Sequence, residues 1–427
     1  MRRWRTDGLA LRLAPALLVG AVVTVAAPPA HADSRPPIAG GFSADGLKRV
    51  GDYFANEVAS GKIPGAVVLI EQHGKPVYFD TFGFRDPVAR TPMTKNTIFR
   101  IYSMSKPITS VAVMMLADDG RIALDDPLSK YIPAFADVQV GVEKKDDSGR
   151  LTLATEPLAR PITIEDLLRH TSGITYGFYG DSVVRKLYMT SGLFEGDFDN
   201  AQFAERLAKL PLAEQPETMW DYGHSVDVLG RVVEVVSGKS LYQFEKERLL
   251  DPLGMIDTGF FVPDAERERI AQFLPNDRFE RAVAGLRDPA ERRRWQSGGA
   301  GMDGTASDYA RFAEMLLEGG SLDGKRYLKP ETVAAMTSDH IGAETHIVRD
   351  GFYFPGDDSG FGLGLAVRTA ATTLLPAGEY RWDGAGGTFF FVDPRDDMLA
   401  IVMMQSPSQR GRIQAEAKKL IYEALER

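Results

Sequence analysis

The chain has 427 residues, 44% hydrophobic and 26% charged, proportions that exclude disorder, collagen and coiled coil. With 50 Lys and Arg against 59 Asp and Glu, the net charge of −9 argues against a nucleic-acid partner, which needs clustered positive charge. The absence of cysteine excludes a disulfide framework, a thiolate metal site, an iron–sulfur cluster and a cysteine nucleophile.

Residues 1–32 read as a secretory signal peptide. Arg2, Arg3, Arg5 and Arg12 precede the apolar run Leu13–Ala27, and Ala30-His31-Ala32 supplies small residues for cleavage. The run is shorter than the roughly 20 apolar residues of a spanning helix, so no stable membrane anchor is expected. The destination is expected to be periplasmic or extracellular. Next comes an amphipathic helix over Ser43–Ser60, capped by Ser43. Gly65–Phe82 predicts a β-hairpin turning at His73-Gly74. A third strand, Thr97–Tyr102, runs into a helix over Pro107–Asp119.

Residues 120–290 show few strand signals. They carry capped helices such as Thr163–Leu168 and Ser225–Val236, and polar loops. Glu143–Arg150 reads as a charged exposed loop, and Glu266–Arg294 as a solvated surface. Gly298–Gly301 reads as a turn before a helix near Ser307; it lacks the Lys and preceding strand of a phosphate loop. Strands return at Phe361–Arg368, Thr388–Asp393 and Met398–Gln405, and Ser408–Arg427 closes the chain as a helix. The economical arrangement is a discontinuous α/β domain, 33–119 and 291–427, with a helical domain, 120–290, inserted.

Ser103-Met104-Ser105-Lys106 is an S-x-x-K at the strand-to-helix junction. Residues i and i+3 are helix neighbours, so the Lys106 amine falls beside the Ser103 hydroxyl. Helix N-termini also offer free N–H groups. On these residues alone, a helix cap accounts for Ser103 equally well. Two further segments favour chemistry. Trp220–Ser225 places Tyr222 just ahead of a helix, and a Tyr close to Lys is suited to act as general base. In Trp382–Thr388, Gly384 and its neighbours let a substrate approach backbone N–H groups at a strand edge.

S-x-x-K, a Tyr motif and a W-x-G form of K-T-G, in that order, resemble the penicillin-recognising serine enzymes. These are class C β-lactamases, DD-peptidases and family VIII carboxylesterases. PITIEDLLRHTSGITYG at 161–177, LDDPL at 124–128 and DPLGM at 251–255 extend the resemblance, which covers about residues 43–423. WDGAGGTFFFVDP at 382–394 is similar to the esterase branch. The resemblance implies a β-lactamase/transpeptidase-like α/β fold: a central antiparallel sheet flanked by helices, with an all-helical insertion. It implies Ser103 as acylated nucleophile, Lys106 as its activator and Tyr222 as general base and proton shuttle. It also implies an oxyanion hole from the N–H groups of Ser103 and Ala385, with Gly384 and Trp382 as substrate-binding positions.

Two positions depart from the family pattern. His224 replaces the Asn two residues after the Tyr, either joining the proton network or pointing into the cleft. Trp382 replaces the Lys of K-T-G, and an indole offers only apolar surface and one N–H. Asp383 is expected to add negative charge that discourages anionic substrates. Tyr176 is a candidate pocket residue. His170 reads as structural, since no G-x-S-x-G elbow accompanies it. The histidines lack metal-ligand spacing, so neither metal nor cofactor is expected. The expected protein is an exported serine hydrolase, a carboxylesterase for small neutral esters; the partner is a small-molecule ester or amide. The alternatives are a β-lactamase, D-amino-acid peptidase or acyltransferase on the same fold, or a non-catalytic binding protein.

Overall fold

The computed structural model describes residues 41–279, 288–342, 345–347, 356 and 358–426. Residues 1–32, expected above to be a signal peptide, lie outside the described residues. An eight-stranded antiparallel sheet organises the rest. Its strands are β1 (Gly65–Gln72), β2 (Lys75–Asp86), β3 (Thr91–Pro92), β4 (Ser359–Phe361), β5 (Ala366–Arg368), β6 (Tyr380–Asp383), β7 (Phe389–Asp393) and β8 (Met398–Met404). Their spatial order is β4-β5-β6-β7-β8-β1-β2-β3. The late strands therefore pair with the early hairpin through β1 and β8, with Val68 opposite Val402.

Hydrophobic alternation builds a core on each face of this sheet. Ala66, Val68 and Ile70 point to one side, and Val67 and Leu69 to the other. The first side is covered by α1 (Ala44–Ala59) and by the C-terminal helix (Arg410–Glu423), through Val50, Phe54, Ile421 and Tyr422. Ser43 caps α1 by accepting the Gly46 N–H at 3.0 Å. The other side is covered by the helix Ala306–Leu317, whose Tyr309 hydroxyl donates to the Met104 carbonyl at the start of α2 (Ser105–Asp118) at 2.9 Å. Ser105 through Leu116 are all buried, as expected of a helix enclosed on every side. α2 packs in turn on the helix Ser225–Ser237.

Several expectations change. The strand expected at Thr97–Tyr102 is only Phe99–Arg100, because the chain turns at Tyr102 (φ 44°). The strand expected over Phe361–Arg368 is two, β4 and β5. Gly364 breaks it at φ 94°, where a Cβ would lie 2.2 Å from the Ser110 Oγ on α2. The loop at Glu143–Arg150 belongs to a hairpin, Gln139–Lys145 with Leu151–Pro157. Its charges sit on exposed strand positions, and the Asp146 carboxylate organises the turn by accepting the Ser148 and Arg150 N–H groups at 2.9 and 3.0 Å. Within the described part of Glu266–Arg294, Ile270 turns inward and is buried. Strand β6 escaped notice because its polar residues are buried as ion pairs.

Candidate active site

Ser103 lies in a single 3-10 turn, Tyr102–Met104, that feeds directly into α2. Residues three apart eclipse one another in such a turn. Lys106 accordingly donates to the Ser103 Oγ at 3.3 Å. It also donates to the Tyr176 hydroxyl at 3.1 Å and to the Gly299 carbonyl at 2.7 Å. Ser105 faces elsewhere: its Oγ accepts the Met302 N–H at 3.0 Å. Tyr102 holds a left-handed backbone directly before Ser103, a conformation costly for a non-glycine residue and often found where a side chain is aimed for function.

Lys106 is fully enclosed, and this burial lowers its ammonium from 10.5 to about 7, against the opposing pull of Asp227 and Asp383. At neutral pH a large fraction of the side chain is a neutral amine that can accept a proton. Its Nζ also lies 4.5 Å from the centre of the Tyr222 ring. Tyr222 is buried, and its hydroxyl accepts the Trp382 indole N–H at 3.1 Å. Gly223 permits this approach. A Cβ there would fall 2.2 Å from the Ile174 carbonyl, so only glycine lets the Tyr222 segment lie against the one carrying Tyr176.

Behind the amine stands Asp227, which the sequence reading missed. Its carboxylate meets the His224 Nδ1 at 2.9 Å and accepts the Gly299 N–H at 3.0 Å and the Ser297 hydroxyl. Burial alone would raise this group, but those contacts and Lys106 outweigh it and hold it below the ordinary range. The available signal was a His and an Asp three apart at a helix start. Gly298–Gly301 is more than a turn: Gly299 lies flat against Asp227 and presents its carbonyl to Lys106. His224 is therefore tied to a carboxylate, and its ring meets the Tyr176 ring edge-on at 4.4 Å.

Asp383 needs correcting. Alternation along β6 turns it away from Trp382, and Arg410 grips it through two hydrogen bonds of 2.6 and 2.8 Å. Its charge is paired with Arg410 on the face opposite Trp382. His170 is buried and packs 4.7 Å from Tyr222, ring centre to ring centre. Burial, helped by Lys106, holds it well below the usual imidazole range, so it is a neutral support.

The turn after β6 completes the site. Gly384 passes so close to Ile101 that a Cβ would lie 2.4 Å from its carbonyl, and Gly386 lies against the Tyr102 ring. Gly387 closes the turn onto the Gly384 carbonyl at 2.9 Å. Neither the Ser103 nor the Ala385 N–H donates to a backbone carbonyl among the described residues. A hydroxyl, a depressed amine, a phenol and two uncommitted amides can together support acyl transfer. Among the described residues, no cluster of side chains could hold a metal ion, and no helix is long and apolar enough to cross a membrane.

The fold places the chain among the β-lactamase-like serine hydrolases and acyltransferases. The chain belongs to the Beta-lactamase family, whose model matches residues 50–423. It is 32% identical over 387 residues to Esterase EstB of Burkholderia gladioli, covering 85% of this chain and 91% of that protein. It is 37% identical over 360 residues to Protein Rv1367c of Mycobacterium tuberculosis, covering 81% and 86%. Among solved structures it is similar to EstCE1, described as a hydrolase with promiscuous acyltransferase activity. That match has a TM-score of 0.73 and 27% identity, and covers 88% of this chain and 99% of that one. The fold is thus β-lactamase/transpeptidase-like, in a family of serine hydrolases with esterase and acyltransferase members.

Proposed function

We propose that this protein is a serine carboxylesterase for neutral esters, with Ser103 as nucleophile. The observation that carries the reading is the uncharged Trp382 N–H on the Tyr222 hydroxyl at 3.1 Å, where the carboxylate-binding branches of the family place a Lys. Among the described residues, the hydrogen bonds of Lys106 go to neutral oxygens. In the first step the Lys106–Tyr222 pair takes the Ser103 proton as Oγ bonds to the ester carbonyl carbon. The resulting oxyanion is held by the N–H groups of Ser103 and Ala385, one such donor being worth about 3–4 kcal/mol in the transition state. The alcohol leaves with that proton as the carbon–oxygen bond breaks. Water then adds to the acyl-enzyme by the same route and releases the acid. The promiscuous acyltransferase activity of EstCE1 favours one second reading, transfer of the acyl group to an alcohol in place of water. Export through the 1–32 leader is part of the proposal, and N-terminal sequencing of protein recovered outside the cytoplasm tests it.

Intact-mass measurement after a fluorophosphonate probe is expected to give one adduct, lost in Ser103→Ala. Tyr222→Phe keeps the ring and removes the hydroxyl, so kcat is expected to fall by about 10²–10⁴. The esterase reading fails if kcat/KM for nitrocefin exceeds that for a p-nitrophenyl ester.

A further inference from the structure

Exposed aromatic rings continue outward from the catalytic amine. The Tyr176 hydroxyl accepts from Lys106, and its ring stacks on Phe178 at 4.9 Å and 27°. Phe178 is 59% exposed. On the other side, Tyr176 meets His224 at 4.4 Å, and His224 meets Phe194 at 5.5 Å. Phe194 is 50% exposed and is backed by Trp295 at 5.8 Å. Met189, 59% exposed, sits beside Gly177, where a Cβ would lie 2.8 Å from its Cγ. Scattered exposed hydrophobics need no explanation. Here Phe178 stacks on Tyr176, Phe194 meets His224, the two buried rings touch each other, and Tyr176 contacts the reactive amine; exposed apolar side chains gathered in this way mark a binding surface.

Three cations in these segments are paired with carboxylates: Lys186 with Asp181, Arg185 with Asp221, and Arg294 with Asp199. The patch therefore presents ring faces and a thioether, without a free charge from these groups to select an ion.

We infer that Phe178, Phe194 and Met189 form a platform for a large, planar, uncharged part of the substrate ester. This deepens the esterase reading and rests on it. Ring faces prefer offset or edge-on aromatic partners. The platform is joined to the reacting centre by Tyr176, whose ring stacks on Phe178 and whose hydroxyl accepts from Lys106.

The test compares three esters in a pH-stat: ethyl acetate, 2-naphthylmethyl acetate with a large alcohol, and ethyl 2-naphthylacetate with a large acyl group. For at least one naphthyl ester, the double variant Phe178→Ala/Phe194→Ala is expected to lower the kcat/KM ratio to ethyl acetate by about tenfold. The affected arm identifies which side of the ester the platform holds. Val88→Ala, at an exposed apolar residue between β2 and β3, should leave both ratios alone. A change below about twofold in both arms overturns the platform. Binding of 2-naphthylmethanol, followed by protein fluorescence, separates the platform from the chemistry. The wild type should bind about tenfold more tightly than the double variant even if no ester turns over. Equal affinities reject the platform, whereas absent turnover with no fluorophosphonate adduct rejects the esterase reading.

Discussion

Lys106 and Lys418 are both buried, and in both burial draws the ammonium from 10.5 to about 7. Their partners differ. Lys418, on the C-terminal helix, is locked against the Glu379 carboxylate, which Arg381 and Tyr422 also contact at 3.1 and 3.0 Å. Burial alone would raise Glu379, but Lys418 and Arg381 hold it below the ordinary carboxylate range. Lys106 has a hydroxyl, a phenol and a carbonyl as its hydrogen-bond acceptors. Two equally lowered amines thus serve different ends. One is bound to a fixed anion that ties the C-terminal helix to β6. The other faces a hydroxyl with which it can exchange a proton. A depressed pKa marks burial; the neighbouring oxygen decides whether the group can do chemistry.

Four measurements would break or sharpen this contrast. The largest effect belongs to Ser103→Ala, which removes the oxygen that distinguishes the two sites. Esterase kcat should fall by about 10⁴–10⁶, the range seen when a nucleophile is deleted. Ser105 cannot substitute, since its hydroxyl accepts from Met302. Near-full activity in steady-state assays would refute the assignment.

Next is a matched pair of lysine variants. Lys106→Met should lower kcat by about 10²–10⁴ with little loss of stability, because it leaves no carboxylate directly unpaired. Lys418→Met should do the reverse, costing about 3–5 kcal/mol in denaturant unfolding by stripping a buried carboxylate of a partner. Its residual folded protein should keep its kcat. If both variants lose activity equally at matched folded fractions, the contrast fails.

The pH profile is a smaller effect with a definite sign. The free-amine form of Lys106 grows as pH rises through about 7, so kcat/KM should climb across that value and fall about tenfold per unit below it. Asp227 favours the ammonium, so Asp227→Asn should move the midpoint to lower pH. A profile flat from pH 5.5 to 8.5, roughly the span over which this limb develops, would remove Lys106 from proton transfer.

The smallest change comes from Trp382→Phe. It keeps the ring and deletes the N–H that reaches the Tyr222 hydroxyl at 3.1 Å. One neutral hydrogen bond is worth about 1 kcal/mol, so kcat should drop about fivefold. An unchanged kcat would make the indole a packing element only.

The sequence by itself determined the parts of the site that are local. Ser103 and Lys106 stand three apart on one turn, and no tertiary contact is needed to bring them together. The early hairpin, β8 and the C-terminal helix were legible from hydrophobic periodicity, because burying one face requires that pattern. The order of the Ser, Tyr and Trp motifs pointed to Tyr222 and Trp382 through family resemblance. Tertiary structure alone decided the rest. The Gly299 carbonyl meets Lys106 across 193 residues of chain, and a carbonyl is carried by every residue, so no side-chain pattern announces it. By sequence Asp227 is one more acid in the first turn of a helix; only packing buries it behind the amine. Asp383 changed from an active-site charge to a structural one because β6 pairs with β7 in a register that turns it toward Arg410. Sequence periodicity states which faces of an element are apolar; which buried groups then meet, and with what pKa, depends on how the elements dock.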